Sequence, residues 1–511
     1  MAFLIPDDIV QQVIEATDIV AVISDFITLK KQGRNFIALC PFHQEKTPSF
    51  SVNPGKRMYY CFGCKKGGDA IRFFMDHQRI SFVEAVSYLA ERSGISLPES
   101  SGMPQEERTF RTELYQANEF AAEYFAKALA SKAPESVRVY LQKRKVSQES
   151  VQNFQLGYAL PGWNNFLRAA ESRRLNPDIL LKAGLLGKSE KSGSYYDYFR
   201  NRLIFPIKNN LGKIVGFGGR ALDPMEKAKY INSPESDIFK KKNILYGLYQ
   251  AKRRLQEEKS AVLVEGYMDV VSLHQAGISS AVAPLGTAFT EDQVKLLKRY
   301  VDRVYLSFDS DPAGIKATVS PIYNLLKSEM GVEVILLPKG EDPDSYIKKE
   351  GKKAFCQLID HSISFFDFLL KQLATYIDFN TIEGKKKFAQ EMAPYLNLIR
   401  YDLFRFDMYC LKMAEFLHIP EKHLKSMLFS QRESPQPIAL GKKYIEPLSK
   451  QDKAEQGLIL AFVENANYRM IIKDQLSSNF FLNPFIKKSP PFYGNMTRLR
   501  ALFQSADCFP I

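Results

Sequence analysis

The sequence predicts a multidomain chain that combines α/β and α+β architecture, on three observations. Four short apolar runs, Val262–Val264, Ala281–Ala283, Val304–Phe308 and Val332–Leu337, alternate with helical stretches such as Glu291–Arg299 and Ala313–Glu329. That is the pattern of buried parallel strands joined by helical crossovers. Ahead of it, Cys40-Pro-Phe-His43 and Cys61-Phe-Gly-Cys64 bracket a β-rich stretch, and behind it Ser364 to about Ser430 spaces leucines and aromatics as a helix does.

In chain order, Ile9, Val13, Ile14, Val20 and Ile23 give residues 7–24 a helical apolar face, and strands are expected from about Phe36 to Cys61. Pro98-Glu-Ser-Ser-Gly-Met-Pro104 reads as a linker, closing a first domain at 1–103. A second region, 106–256, starts helical from Glu106 to Gln142 and continues as mixed α/β with turns such as Asn209-Asn-Leu-Gly212. The parallel sheet with its flanking helices occupies 257–361, and a helical subdomain 362–431. The proline-bearing segment 432–447 reads as a second linker, and 448–511 is interrupted at Pro484, Pro490, Pro491 and Pro510.

With 511 residues, 45% of them hydrophobic, the chain can bury several cores. Lys and Arg outnumber Asp and Glu by 70 to 57, a net charge of +13 that favours polyanionic partners and salt-dependent binding. Six cysteines are too few for a secreted disulfide framework. Cys40, Cys61 and Cys64 cluster while Cys356, Cys410 and Cys508 stand alone, which points to metal in a reducing, cytoplasmic setting. No uncharged apolar stretch is long enough to span a bilayer, so no membrane association is expected.

The pairs Cys40/His43 and Cys61/Cys64 each offer two soft ligands from one tight turn, which suits a tetrahedral Zn²⁺. Four protein ligands leave no open position, so this zinc is expected to be structural. Gly63, Gly67 and Gly68 let the second turn close. Around it lie Lys30, Lys31, Arg34, Lys46, Arg57, Lys65 and Lys66, interleaved with Phe36, Phe50, Tyr59 and Tyr60, a mixture suited to phosphates and stacked bases. Any one of these aromatics serves equally well as core of a small domain.

Three acidic motifs follow three of the apolar runs: Glu265-Gly-Tyr-Met-Asp269, Asp309-Ser-Asp311 and Glu341-Asp342-Pro-Asp344. In a parallel sheet all three fall at the carboxyl edge, where open α/β folds bind ligands. Singly, Asp269, Asp309 and Asp311 could cap helices and Asp342 could be merely solvated. Together they make physical sense around hard divalent cations, Mg²⁺ or Mn²⁺, and two such ions suit phosphoryl transfer. Gly216-Phe-Gly-Gly219 is a weak signal, read as a turn before a phosphate loop.

These motifs, in this order, closely resemble bacterial replicative DNA primases over roughly residues 1–430. The resemblance implies a zinc ribbon that binds template at the N-terminus, a basic first part of the RNA polymerase domain, and a Toprim-like sheet. Arg200-Asn-Arg202-Leu-Ile-Phe-Pro206, Gly216–Arg220, Lys229–Glu235 and Asp237–Lys241 are similar to the family's basic subdomain, a feature that separates it from other Toprim proteins. By this resemblance Glu265, Asp309 and Asp311 are catalytic and hold metal, assisted by Asp269, Asp342 and Asp344. Arg144, Arg220, Lys229 and Lys241 match basic positions that hold template or nucleotide phosphates.

The implied activity is synthesis of short RNA primers on single-stranded DNA from ribonucleoside triphosphates, at the replication fork. A replicative helicase is the implied partner, through a region expected at 448–511 that is shorter than the family's. Ser310 stands where the family often has Gly. Two other readings share parts of the pattern: a Toprim enzyme that cleaves DNA through a tyrosine, and a zinc-dependent single-strand-binding protein with merely structural acids.

Overall fold

The computed structural model describes residues 5–95, 105–223, 225–286, 288–310, 312–375 and 377–430. The described residues all belong to one compact unit. The linkers expected at 98–104 and 432–447, the region 448–511, and the side chain of Asp311 lie outside the described residues.

The N-terminal module opens with helices α1 (Asp7–Ala16) and α2 (Ile19–Ser24). The single helix expected over 7–24 is divided because the Asp18 carboxylate accepts from the Val20 and Ala21 N–H groups and starts a new one. A five-stranded antiparallel sheet follows in sequence order, β1 (Lys30–Gln32), β2 (Asn35–Ala38), β3 (Phe50–Asn53), β4 (Met58–Cys61) and β5 (Gly67–Gly68). Helices α3 (Ala70–Gln78) and α4 (Phe82–Arg92) close the module, α4 through a capping box between Ser81 and Glu84. Phe50, Tyr59, Phe73 and Phe74 are fully buried between sheet and helices, so these aromatics are core.

Helices α5 (Gln105–Ser131), α6 (Glu135–Lys143) and α7 (Gln148–Asn153) lead into the second region. There β6 (Gly157–Ala159), α8 (Asn165–Ser172), α9 (Pro177–Lys182), β7 (Leu186–Lys188), β8 (Tyr195–Asp197), β9 (Arg202–Lys208), β10 (Ile214–Ala221) and β11 (Tyr230–Asn232) follow. Its four-stranded antiparallel sheet has the order β11-β10-β9-β6, with Asn209–Gly212 as the turn between β9 and β10.

Gly216–Gly219 is neither the expected turn nor a phosphate loop. It lies inside β10, where a Cβ on Gly218 would stand 2.5 Å from the Tyr267 ring and one on Gly219 2.7 Å from Phe199. The glycines let two layers approach closely.

After α10 (Leu248–Glu258), strands β12 (Ser260–Leu263), β13 (Ala281–Val282), β14 (Arg303–Leu306), β15 (Gly331–Val334) and β16 (Ile363–Ser364) form a five-stranded sheet of order β13-β12-β14-β15-β16. Its first four strands run parallel, as expected, and β16 is antiparallel. The helices between them are α11 (Tyr267–Gln275), α12 (Glu291–Lys298), α13 (Pro312–Lys327) and α14 (Pro343–Asp360). The helical subdomain is α15 (Phe365–Ala374), α16 (Ile382–Leu398), α17 (Leu403–Leu417) and α18 (Glu421–Ser430).

One hydrophobic cluster joins the two middle regions, and the N-terminal module keeps a separate one. The seam between them is mostly polar. Lys252 Nζ donates to Gln78 Oε1 (2.7 Å) and to the Asn210 carbonyl, and Tyr300 OH donates to the Gln78 carbonyl (3.0 Å). Gln256 Nε2 reaches the His77 carbonyl (2.9 Å), and Arg299–Glu84 (3.6 Å) and Lys213–Glu91 (2.7 Å) are ion pairs.

Burial brings the Lys252 ammonium down to about 7. A lysine whose folded value is depressed releases its proton more readily folded than unfolded, so its contribution to stability is lost as pH falls from the ordinary lysine range toward about 7. The stability of the parent protein relative to Lys252→Met should therefore rise across that window as pH increases, measured by urea unfolding at stepped pH.

A zinc knuckle and an acidic sheet edge

The four predicted ligands converge. The ligating atoms of Cys40, His43, Cys61 and Cys64 all lie within 4.8 Å of one another. Cys40 Sγ and Cys64 Sγ are 3.8 Å apart, as are Cys61 Sγ and His43 Nδ1. A tetrahedron with Zn–S near 2.3 Å has edges of about 3.8 Å, so the donor set fits zinc.

His43 turns Nδ1 inward and places Nε2 3.2 Å from Glu45 Oε2, the outer-shell carboxylate that orients a ligating imidazole. Glu45 also accepts from the Cys40 N–H (2.7 Å), the Ser49 N–H (3.0 Å) and the Ser49 hydroxyl (2.5 Å). Against the upward push of burial, hydrogen bonds from Ser49 and the Cys64 N–H hold the Cys61 thiol down at about 7, close to the thiolate that zinc requires. A Cβ on Gly63 would lie 2.6 Å from His43 Nε2, so Gly63 makes room for the ligand itself.

At the carboxyl end of the parallel sheet, β12 runs into Glu265, β14 into Asp309 and β15 into the turn before Asp342. Glu265 Oε1 accepts from the Asp309 N–H at 3.0 Å, which ties the first two strand ends together. Ser310 ties in the third: its hydroxyl donates to the Glu341 carbonyl (3.1 Å) and accepts from the Gly340 N–H (2.8 Å). The departure from Gly at this position thus gains a fastening. Gly314 is required behind the turn, since a Cβ there would stand 2.3 Å from the Asp309 carbonyl oxygen.

Asp269 is buried in the first turn of α11 and accepts from the Gly266 N–H at 3.0 Å. Burial, and then the carboxylates of Asp342, Asp309 and Asp344, push it well above the usual carboxylate range. The acids are therefore close enough to act on one another. Asp342 caps α14, one oxygen accepting from the Ser345 N–H at 2.6 Å.

Of the predicted basic residues, Arg144 and Arg220 meet at one aromatic side chain. Tyr140 lies 4.8 Å from the Arg220 guanidinium and 5.8 Å from that of Arg144. Arg220 also donates to Tyr230 OH at 2.6 Å. Arg144 pairs with Asp344. Lys229 is exposed before β11, and Lys241 opens a short 3₁₀ turn; neither side chain makes a hydrogen bond or ion pair among the described residues.

Family models match the chain in the same order. "CHC2 zinc finger" covers residues 5–105, "DNA primase catalytic core, N-terminal domain" 124–252, "Toprim-like" 262–347, and "DnaB-helicase binding domain of primase" 366–417. A DNA primase of Clostridium acetobutylicum is 36% identical over 496 residues, which span 95% of this chain and 81% of that protein.

The chain belongs to the bacterial DNA primase family.

The Escherichia coli primase is 40% identical over 410 residues, covering 79% of this chain and 70% of that protein. Against the Pseudomonas aeruginosa primase, at 42% identity, this chain spans 61% of the relative's length. Among solved structures, the zinc-binding and RNA polymerase domains of the Aquifex aeolicus primase align with a TM-score of 0.56 at 35% identity, covering 83% of this chain and 99% of that one. A DnaG primase catalytic domain bound to single-stranded DNA gives 0.56 at 35% identity, over 62% of this chain and 99% of that one. The zinc ribbon, the primase core and the Toprim sheet expected from the sequence are all present. The helicase-binding match falls on α15–α17, whereas the sequence reading had expected that function at 448–511.

Glu45 and Ser49 were not singled out in the sequence. With Glu45→Gln, zinc affinity should fall by about 10–100-fold while the four ligands remain; Cys61→Ala should abolish tight binding. Competition with a chromophoric chelator measures both.

Proposed function

We propose that this primase makes short RNA primers on single-stranded DNA by metal-assisted nucleotidyl transfer, as a DNA-directed RNA polymerase. The observation that carries the reading is the joining of three strand-end acidic motifs at one sheet edge, beside a ledge of Arg144, Arg220 and Tyr140. Glu265, Asp309 and Asp311 hold divalent cations, with Asp269 and Asp342 completing the acidic edge. Two bound Mg²⁺ or Mn²⁺ ions would favour attack of a 3′-hydroxyl on the α-phosphate of the next ribonucleotide and departure of pyrophosphate.

The chain's own groups supply position and charge. The Asp309 N–H holds Glu265 in place. Arg220, stacked between Tyr140 and Tyr230, presents its guanidinium to phosphate oxygens, and Lys229 and Lys241 add point charges along the template path. The zinc module, docked on the same unit, contributes exposed Tyr60 and Phe62 to template binding by stacking. A replicative helicase is the partner, a reading supported by the match over residues 366–417. Among the described residues no helix is long and apolar enough to cross a membrane.

Purified protein incubated with single-stranded DNA, Mg²⁺ and labelled ribonucleotides should yield short RNA on a denaturing gel. Asp309→Ala should lower the yield by at least about a hundredfold, the effect of losing several kcal/mol of charge stabilisation. Absence of RNA from the folded, zinc-loaded parent protein, or DNA nicking without added ribonucleotides, would sink the reading.

A further inference from the structure

Asp344 was expected among the metal ligands, yet its surroundings differ from those of its neighbours. Its side chain is 2% exposed, and both of its oxygens are engaged. Oδ1 accepts from the Ser272 hydroxyl of α11 and from Lys348 Nζ, one turn on in α14; Oδ2 accepts from Arg144 Nη1, just past α6. The Asp342 carboxylate, by contrast, accepts one hydrogen bond, on one oxygen, among the described residues. Asp344 is the only carboxylate paired with Arg144 or with Lys348 among the described residues. Drawing it away to a metal ion would break both contacts and leave Arg144 and Lys348 with only the longer-range charge of Asp342, which is costly.

The turn that carries Arg144 is fastened a second time. Gln275 Oε1 accepts from the Ser147 N–H (2.7 Å) and the Ser150 hydroxyl (2.9 Å), and Gln275 Nε2 donates to the Lys145 carbonyl (2.7 Å). Lys145 itself takes a left-handed conformation, φ 50°. Asp269, Ser272 and Gln275 follow one another at intervals of three along α11, so one side of this helix touches the acidic edge, then Asp344, then the Arg144 turn. Arg220 lies across Tyr140 from Arg144, so the cationic side chains of Arg144, Lys348 and Arg220 gather beside the acidic edge.

Building on the primase reading, we infer that Asp344 is a positioning residue that sets Arg144 and Lys348 toward the triphosphate of the incoming ribonucleotide, and is not a metal ligand. Lys348 thereby joins the nucleotide-binding side chains.

Mn²⁺ binding by electron paramagnetic resonance and ribonucleotide KM and kcat in primer synthesis test this together, on the full chain. Asp344→Asn should bind Mn²⁺ within about twofold of the parent, whereas Asp309→Asn should weaken it at least about tenfold. Asp344→Asn should raise the ribonucleotide KM about 10–100-fold, the range of a lost hydrogen bond to a charged group, with a smaller change in kcat. Arg144→Ala should do the same, and the KM of the double variant should fall well short of the product of the two single effects, because Asp344 acts in part through Arg144.

Loss of Mn²⁺ in Asp344→Asn comparable to that in Asp309→Asn, or multiplying effects in the double variant, would overturn the assignment. If Asp344→Asn fails to fold, Ser272→Ala serves: it should raise KM several-fold with Mn²⁺ binding unchanged, and weakened Mn²⁺ binding there would refute the proposal. A parent protein that makes no RNA removes the proposed function, while Mn²⁺ binding still decides whether Asp344 is a ligand.

Discussion

Mutual repulsion among carboxylates at one end of the parallel sheet governs this structure. A buried Asp269 facing Asp309, Asp342 and Asp344 is unfavourable by itself, since both burial and like charge disfavour the ionised form. The fold relieves it in two ways. Arg144 and Lys348 come in from helical segments to neutralise Asp344, while Glu265 and Asp342 each accept from a backbone N–H, of Asp309 and Ser345 respectively. Parallel strands suit this arrangement because successive chain segments end at the same edge.

The zinc site solves the same problem with softer ligands. Three cysteine sulfurs and an imidazole are brought to within 4.8 Å of one another by two tight turns, and Glu45 and Ser49 brace those turns from outside. In both places a few functional side chains converge, and a larger set of polar groups fixes where they stand.

What could be read from the sequence was what is local. Each zinc pair comes from one turn, and Glu265 and Asp309 each follow directly on an apolar run, so spacing alone exposed them. The apolar runs ending at Phe308 and Leu337 were read as strand throughout, whereas β14 stops at Leu306 and β15 at Val334, although the Ser307 and Ile335 N–H groups still bond to the neighbouring strands. What stayed hidden was tertiary. Arg144 and Asp344 are separated by 200 positions, Ser272 and Asp344 by 72, and Ser147 and Gln275 by 128, and no periodicity announces such partners. Gly216–Gly219 was misread for a related reason: its need for glycine comes from Tyr267 and Phe199 on other elements, not from its own backbone.

The two separate hydrophobic cores have an evolutionary consequence. Because the zinc module completes its own interior and meets the rest of the unit largely through hydrogen bonds and ion pairs, substitutions within its core need not disturb the packing beneath the acidic edge. The two interiors can then drift at different rates within one lineage, while the polar seam changes in concert.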